Sequence, residues 1–288
     1  MMITISTFYV FTAIDPSQLI TEKAWLLEIM KQHHILGTIL LAHEGLNATI
    51  CGEDAPLTEC IAAIKARYDC DFRQTLSAHE SYPFHKAKVR IKPTLVKLGA
   101  EIHDATHVGT YLSPREWNEL LEQEDVVLLD TRNVYETHLG TFKGAIDPNT
   151  RKFNHLPAYT LEHLAHAKDK KLATFCTGGI RCEKYTAWLK EQGFTQVYHL
   201  EGGILRYLHE IPEEESLWEG SCYVFDDRVA VKHGHAVDRE ASNCPNCGHT
   251  LTAKDLTSEH YVHGVRCRHC DSYPPSNYDL LEPQTVSH

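Results

Sequence analysis

Two cysteine patterns in this chain are spaced for chemistry. The first is Phe175-Cys176-Thr177-Gly178-Gly179-Ile180-Arg181-Cys182, which ends a short apolar run and leads into a segment of helical spacing. A thiol between a strand end and a helix start faces backbone N–H groups and the positive end of the helix dipole. Both favour the thiolate. Gly178 and Gly179 let the loop curl, so that the amides of residues 177–180 converge on one point as an anion cradle. Arg181 adds a positive charge that does not titrate away. A buried cysteine that merely fills a strand end is the plainer alternative, but paired glycines and an arginine within one turn speak against it. Cys182 could resolve an oxidised Cys176, or it could pack inside the first helical turn.

The second pattern is Cys244-Pro-Asn-Cys247 followed by Cys267-Arg-His-Cys270, with nineteen residues between the two units. That spacing fits a four-thiolate zinc site. Gly248 permits the tight knuckle that aims two thiolates at one ion. Four protein ligands leave no open position, so such a metal stabilises the segment rather than catalysing. His249, His263 and His269 stand nearby, which keeps a Cys3His variant open.

A third feature is electrostatic. Residues 84–97 carry five Lys/Arg and no acid. Strand alternation puts Lys86, Lys88, Arg90 and Lys92 on one face. In a chain of formal charge −11, a single-sign strip is a candidate track for a phosphate backbone. It could equally be a solvated edge protected by lysines.

The whole chain bounds these readings. Its 288 residues suffice for two or three domains, and 42% hydrophobic with 23% charged residues predicts packed cores. The acidic balance argues against bulk attraction to nucleic acid or anionic lipid. No apolar run approaches a membrane span, and no secretory leader is visible. With four of the ten cysteines paired as CxxC units, the expectation is a reducing cytoplasm without disulfides.

The elements that position these groups follow from periodicity. In residues 1–98, strands at 7–11, 37–42, 47–51, 72–76 and 89–96 alternate with helices at 16–34 and 56–68. The order β-α-β-β-α-β predicts a ferredoxin-like α+β domain. Residues 110–212 alternate strands and helices, which predicts a parallel α/β sheet with Cys176 at a strand's C-terminal end, where ligands bind. Ser113, Pro114 and Glu116 form a capping box at one helix start. Helices are expected at 161–167 and 182–192. Asp130 and Arg132 end the apolar strand 126–130, and a buried pair that supports the loop is their expected role. Residues 213–288 form a small C-terminal zinc-binding segment whose last residues, 274–288, read as a loose tail.

The four residues between Cys176 and Arg181 resemble the active loop of rhodanese domains, where cysteine carries a persulfide; cysteine phosphatases use five. Asp130-Thr-Arg132, Glu136, Gly140-Thr-Phe-Lys-Gly144 and Leu200-Glu-Gly-Gly-Ile resemble rhodanese landmarks in the same order. Adding Glu44-Gly-Leu-Asn47-Ala-Thr, Phe84-His-Lys-Ala-Lys-Val-Arg90, Cys222-Tyr-Val-Phe-Asp-Asp-Arg-Val and the paired CxxC units, nearly the whole chain resembles the rhodanese-related tRNA uridine hydroxylases. The resemblance implies oxygen-dependent conversion of the wobble uridine of tRNA to 5-hydroxyuridine, with Cys176 essential, dioxygen as co-substrate, tRNA as partner and the 86–92 strip on RNA. No dinucleotide-binding glycine fingerprint is visible, nor an evident pair of histidines with a carboxylate for iron. The rhodanese landmarks taken alone imply a persulfide sulfurtransferase instead.

Overall fold

The computed structural model describes residues 2–271; the tail at 274–288 lies outside the described residues. Contacts divide the chain into two compact units. Of the described residues, one comprises those up to Lys97 with Phe225–Arg228, the other Leu98–Val224 with those from Val229 onward. Among the described residues no helix is long and apolar enough to cross a membrane.

The first unit is a five-stranded sheet, β1 (Ile3–Phe11), β2 (Leu36–Ala42), β3 (Gly45–Gly52), β4 (Gln74–His79) and β5 (Ala87–Ile91), in the order β4-β1-β3-β2-β5. All pairings are antiparallel except β2 with β5. Helices α1 (Leu19–Gln32) and α2 (Asp54–Arg67) bury Leu26, Met30, Leu57, Ile61 and Ile64 against Phe8, Ile39, Leu41, Leu46, Ile50 and Val89. Glu22 of α1 is buried and accepts two hydrogen bonds from Arg67 and one from Tyr68, which ties the helices together. Gly45 opens β3 because a Cβ there would lie 2.0 Å from the carbonyl of Val10.

The last strand is shorter than periodicity suggests. Pro93 has no N–H to extend the ladder, and the Glu44 carboxylate takes the amide of Leu95 at 2.5 Å and the hydroxyl of Thr94 at 2.6 Å. The strand ends at Ile91, and the segment leaves the sheet after Lys92, whose amide still donates to the Leu41 carbonyl at 2.8 Å.

The second unit is built on a parallel sheet of β6 (Thr110–Leu112), β7 (Val126–Asp130), β9 (Lys171–Phe175) and β10 (Gln196–Leu200), ordered β6-β10-β9-β7. Helices α3 (Pro114–Leu121), α4 (Val134–Thr137), α5 (Leu156–His163), α6 (Ile180–Glu191) and α7 (Gly203–Glu210) join the strands, and β8 (Gly140–Phe142) follows α4. The capping box of α3 is present. Helix α5 starts five residues earlier than the sequence suggests, because Pro157 supplies a preset first turn.

Residues beyond 212 complete this core. Strand β11 (Trp218–Gly220) pairs antiparallel with β8, and Trp218 meets Phe142 edge-on at 5.2 Å in a cluster with Trp117, Phe175 and Tyr207. Two hairpins follow, β12 (Cys222–Tyr223) with β13 (Ala230–Val231) and β14 (Ser242–Asn243) with β15 (Thr250–Leu251), then the single turn α8 (Ala253–Leu256).

Candidate active site

Cys176 follows the last residue of β9, and α6 begins four residues later at Ile180. The turn is made at Gly179, whose φ of +97° suits glycine. Its N–H donates to Cys176 Sγ at 3.1 Å. The loop is held from its other side by α7. The amides of Ile204 and Leu205 donate to the carbonyls of Cys176 and Thr177 at 3.0 and 3.1 Å. That approach needs Gly203, where φ is +64° and a Cβ would sit 2.5 Å from the Cys176 carbonyl oxygen. The Leu-Glu-Gly-Gly-Ile landmark thus has a mechanical role: it lets a helix start against the cysteine loop.

Arg181 does not point its donors at the loop centre. Its two terminal nitrogens bond to the two carboxylate oxygens of Glu136 at 2.7 and 2.6 Å, and both residues are buried. Glu136 also accepts from Thr177 Oγ1 and from the Asn133 amide, each at 3.1 Å. Burial alone would raise the carboxyl's pKa, but Arg181 overrides it and keeps Glu136 ionised. Arg181 therefore acts on Cys176 through its field.

Burial also pushes the Cys176 thiol up. A hydrogen bond from Cys182, the charge of Arg181 and the amides of residues 181 and 182 outweigh it, and the pKa falls to about 6. Cys182 goes the other way, well above its ordinary value, because it is buried and donates to its neighbour. Its sulfur also lies 3.8 Å from Thr131 Oγ1. Cys176 is 1% exposed, so its sulfur is almost closed off from solvent.

Asp130 and Arg132 form a fully buried fork, with Nε to Oδ1 at 3.0 Å and Nη2 to Oδ2 at 2.6 Å. Arg132 also donates from Nη2 to the carbonyl of Gly140 and from Nη1 to that of Glu136, and Thr141 Oγ1 donates to Asp130. The pair thus pins both ends of the segment that carries Glu136. Thr131, between them, reaches the Phe175 carbonyl at 2.7 Å.

The basic strip lies on the edge strand β5 of the first unit. Val89 turns into the core, while Lys86, Arg90 and Lys92 are exposed and Lys88 is half-buried.

The four cysteines of the second pattern converge. Cys244 and Cys270 are 3.7 Å apart, Cys247 and Cys267 3.7 Å, and Cys267 and Cys270 3.9 Å, sulfur to sulfur. A tetrahedron with metal–sulfur bonds of about 2.3 Å places its sulfurs about 3.8 Å apart, so the residues present fit a four-thiolate metal ion without a histidine. Beside them lies a group that spacing did not reveal. His138, His249 and His269 bring ring nitrogens within 4.8 Å of one another. His138 and His269 each place Nε2 on one oxygen of the buried Asp255, at 2.8 and 3.0 Å. Arg268 Nε lies 2.6 Å from Asp255 and 3.2 Å from His269 Nε2. A guanidinium and two imidazoles thus meet on one carboxylate, which joins the cluster into a hydrogen-bonded hub.

Glu136 and Gly203 stand within the landmarks read from the sequence, but their contacts with Arg181 and with the cysteine loop were not legible there, and Asp255 was not singled out at all.

Comparison with known proteins agrees with this architecture. Residues 3–95 match the family described as UPF0176 acylphosphatase like domain, and residues 113–210 match the rhodanese-like domain. A protein of Mesorhizobium japonicum named tRNA uridine(34) hydroxylase is 49% identical over 238 residues, 82% of this chain and 77% of its own. A protein of the same name from a Picosynechococcus species is 49% identical over 241 residues, 83% of this chain and 80% of its own. A solved rhodanese-like domain protein from Staphylococcus aureus is 24% identical, with a TM-score of 0.29 over 34% of this chain and 90% of its own.

Proposed function

The chain belongs to the tRNA uridine(34) hydroxylase family, and from that premise we propose that it hydroxylates the wobble uridine of tRNA at C5 through Cys176. The observation that carries this is a buried sulfur held anionic near neutral pH by an amide, a neighbouring thiol and a guanidinium. In the proposed reaction the thiolate adds to C6 of the uracil ring, which raises electron density at C5. An oxygen atom derived from dioxygen is delivered to C5, and two electrons from an external reductant send the other oxygen to water. Loss of the C5 proton and of the thiolate restores the ring and the free cysteine. Reaching C6 from one face of the ring requires the base to leave the anticodon stack. The enzyme is then an oxidoreductase of the monooxygenase type working in the cytoplasm.

The basic strip Lys86, Lys88, Arg90 and Lys92 supplies the phosphate contacts in this proposal. Zinc is the proposed occupant of the Cys244, Cys247, Cys267 and Cys270 site, which it closes and stiffens without touching substrate.

Mass spectrometry of tRNA nucleosides tests the reading. Cells whose sole copy carries Cys176→Ser should lack 5-hydroxyuridine, and oxygen-18 from labelled dioxygen should enter the nucleoside in wild-type cells. Undiminished 5-hydroxyuridine in the variant would exclude the cysteine route. Thiocyanate formation lost in the variant, with 5-hydroxyuridine intact, would favour sulfur transfer.

A further inference from the structure

Glu136 sits on a helix of four residues, Val134–Thr137. A single turn has too few internal hydrogen bonds to hold its own shape, yet this one must keep a carboxylate in bidentate contact with Arg181. Two clamps from the C-terminal segment grip it on either side of Glu136. Thr250 Oγ1 donates to the carbonyl of Tyr135. His138, which ends the turn, meets Oδ2 of Asp255 at 2.8 Å. Both clamps are rooted in the cysteine knuckles. Thr250 follows the first knuckle, whose Cys244 amide donates to the His249 carbonyl at 2.8 Å. Asp255 is fully buried and meets His269, which stands between Cys267 and Cys270.

We propose that His138 and Thr250 are positioning residues for the cysteine loop. The four-cysteine knuckle holds the Glu136 turn, Glu136 holds Arg181, and Arg181 sets the field at Cys176. His138 and Thr250 act at a distance from the sulfur, through Glu136 and Arg181. Its effect is on the ionisation of one sulfur, so the readout is that sulfur's acidity.

The experiment is peptide-resolved alkylation of the full-length chain by iodoacetamide, from about pH 5 to about pH 9, which gives the midpoint for Cys176 apart from the other cysteines. His138→Ala should raise the midpoint by roughly one pH unit. His138→Gln keeps an N–H donor toward Asp255 and should return it close to the wild-type value. Thr250→Val removes the other clamp without touching Asp255 and should also raise it. Metal content should be unchanged in all three. A midpoint that stays put in both His138→Ala and Thr250→Val overturns the proposal. So does an equal shift in His138→Ala and His138→Gln, which would mean that the hydrogen bond is not what matters. If His138→Ala fails to fold, Thr250→Val decides alone. Because the readout is thiol ionisation and not modified tRNA, failure of the hydroxylase reading would leave this result standing, and the reverse holds too.

Discussion

At the scale of single residues, the site depends on which of two adjacent thiols is ionised. Cys176 and Cys182 are both buried, but one receives hydrogen bonds and the other gives one. The folded pKa of Cys176 is lowered from 9.0 to about 6. For a depressed acid, the stabilisation is complete above the unfolded value and is lost as pH falls through the folded one. The thiolate therefore adds stability above about pH 9, and that contribution disappears on acidification through about pH 6. Melting temperatures of wild type and Cys176→Ser, compared from about pH 8 down to about pH 5, should converge with falling pH. A gap that is constant across this window would show that the native sulfur is not charged. The motif Cys-Thr-Gly-Gly-Ile-Arg already pointed to an ionised cysteine. It could not show that Arg181 works through Glu136, because that bidentate pair joins residues 45 positions apart and leaves no local spacing to read.

At the scale of elements, strands and helices were legible wherever burial is one-sided. Residues Ile39 and Leu41, or Leu57, Ile61 and Ile64, repeat with the period of their element. Ends were less legible. Strand β5 stops at Ile91 through a proline and a distant carboxylate, and α5 begins at a proline turn that the apolar period does not mark. The basic face of β5 is where sequence and structure together support a prediction. Reversing the charge of Lys86, Lys88 and Arg90 should weaken tRNA binding and reduce the slope of log K against log salt by roughly two to three. Filter binding or fluorescence titration across a salt series reads both quantities. An unchanged slope would remove the strip from the RNA footprint.

At the scale of the whole molecule, the C-terminal segment is where sequence reasoning saw the part but not its connections. The four thiolate ligands were evident from spacing. The hub of His138, Asp255 and His269 was not, since His138 and Asp255 lie 117 residues apart and are brought together only by the tertiary fold. Elemental analysis of the purified chain should find about one zinc per molecule, and Cys247→Ser should abolish it and lower the unfolding temperature of the protein. A wild-type chain that holds no metal and melts unchanged after chelation would refute the metal assignment.

The pairing of β11 with β8 bears on how this gene can be cut. The rhodanese match stops at residue 210, eight positions short of Trp218. A fragment trimmed there would leave Phe142 and Phe175 facing water where an indole belongs, and such bare aromatic surface drives molecules to clump. The sulfur-bearing half of this protein is therefore not a cassette that can be lifted out at its apparent borders; its lining is supplied by the stretch that follows.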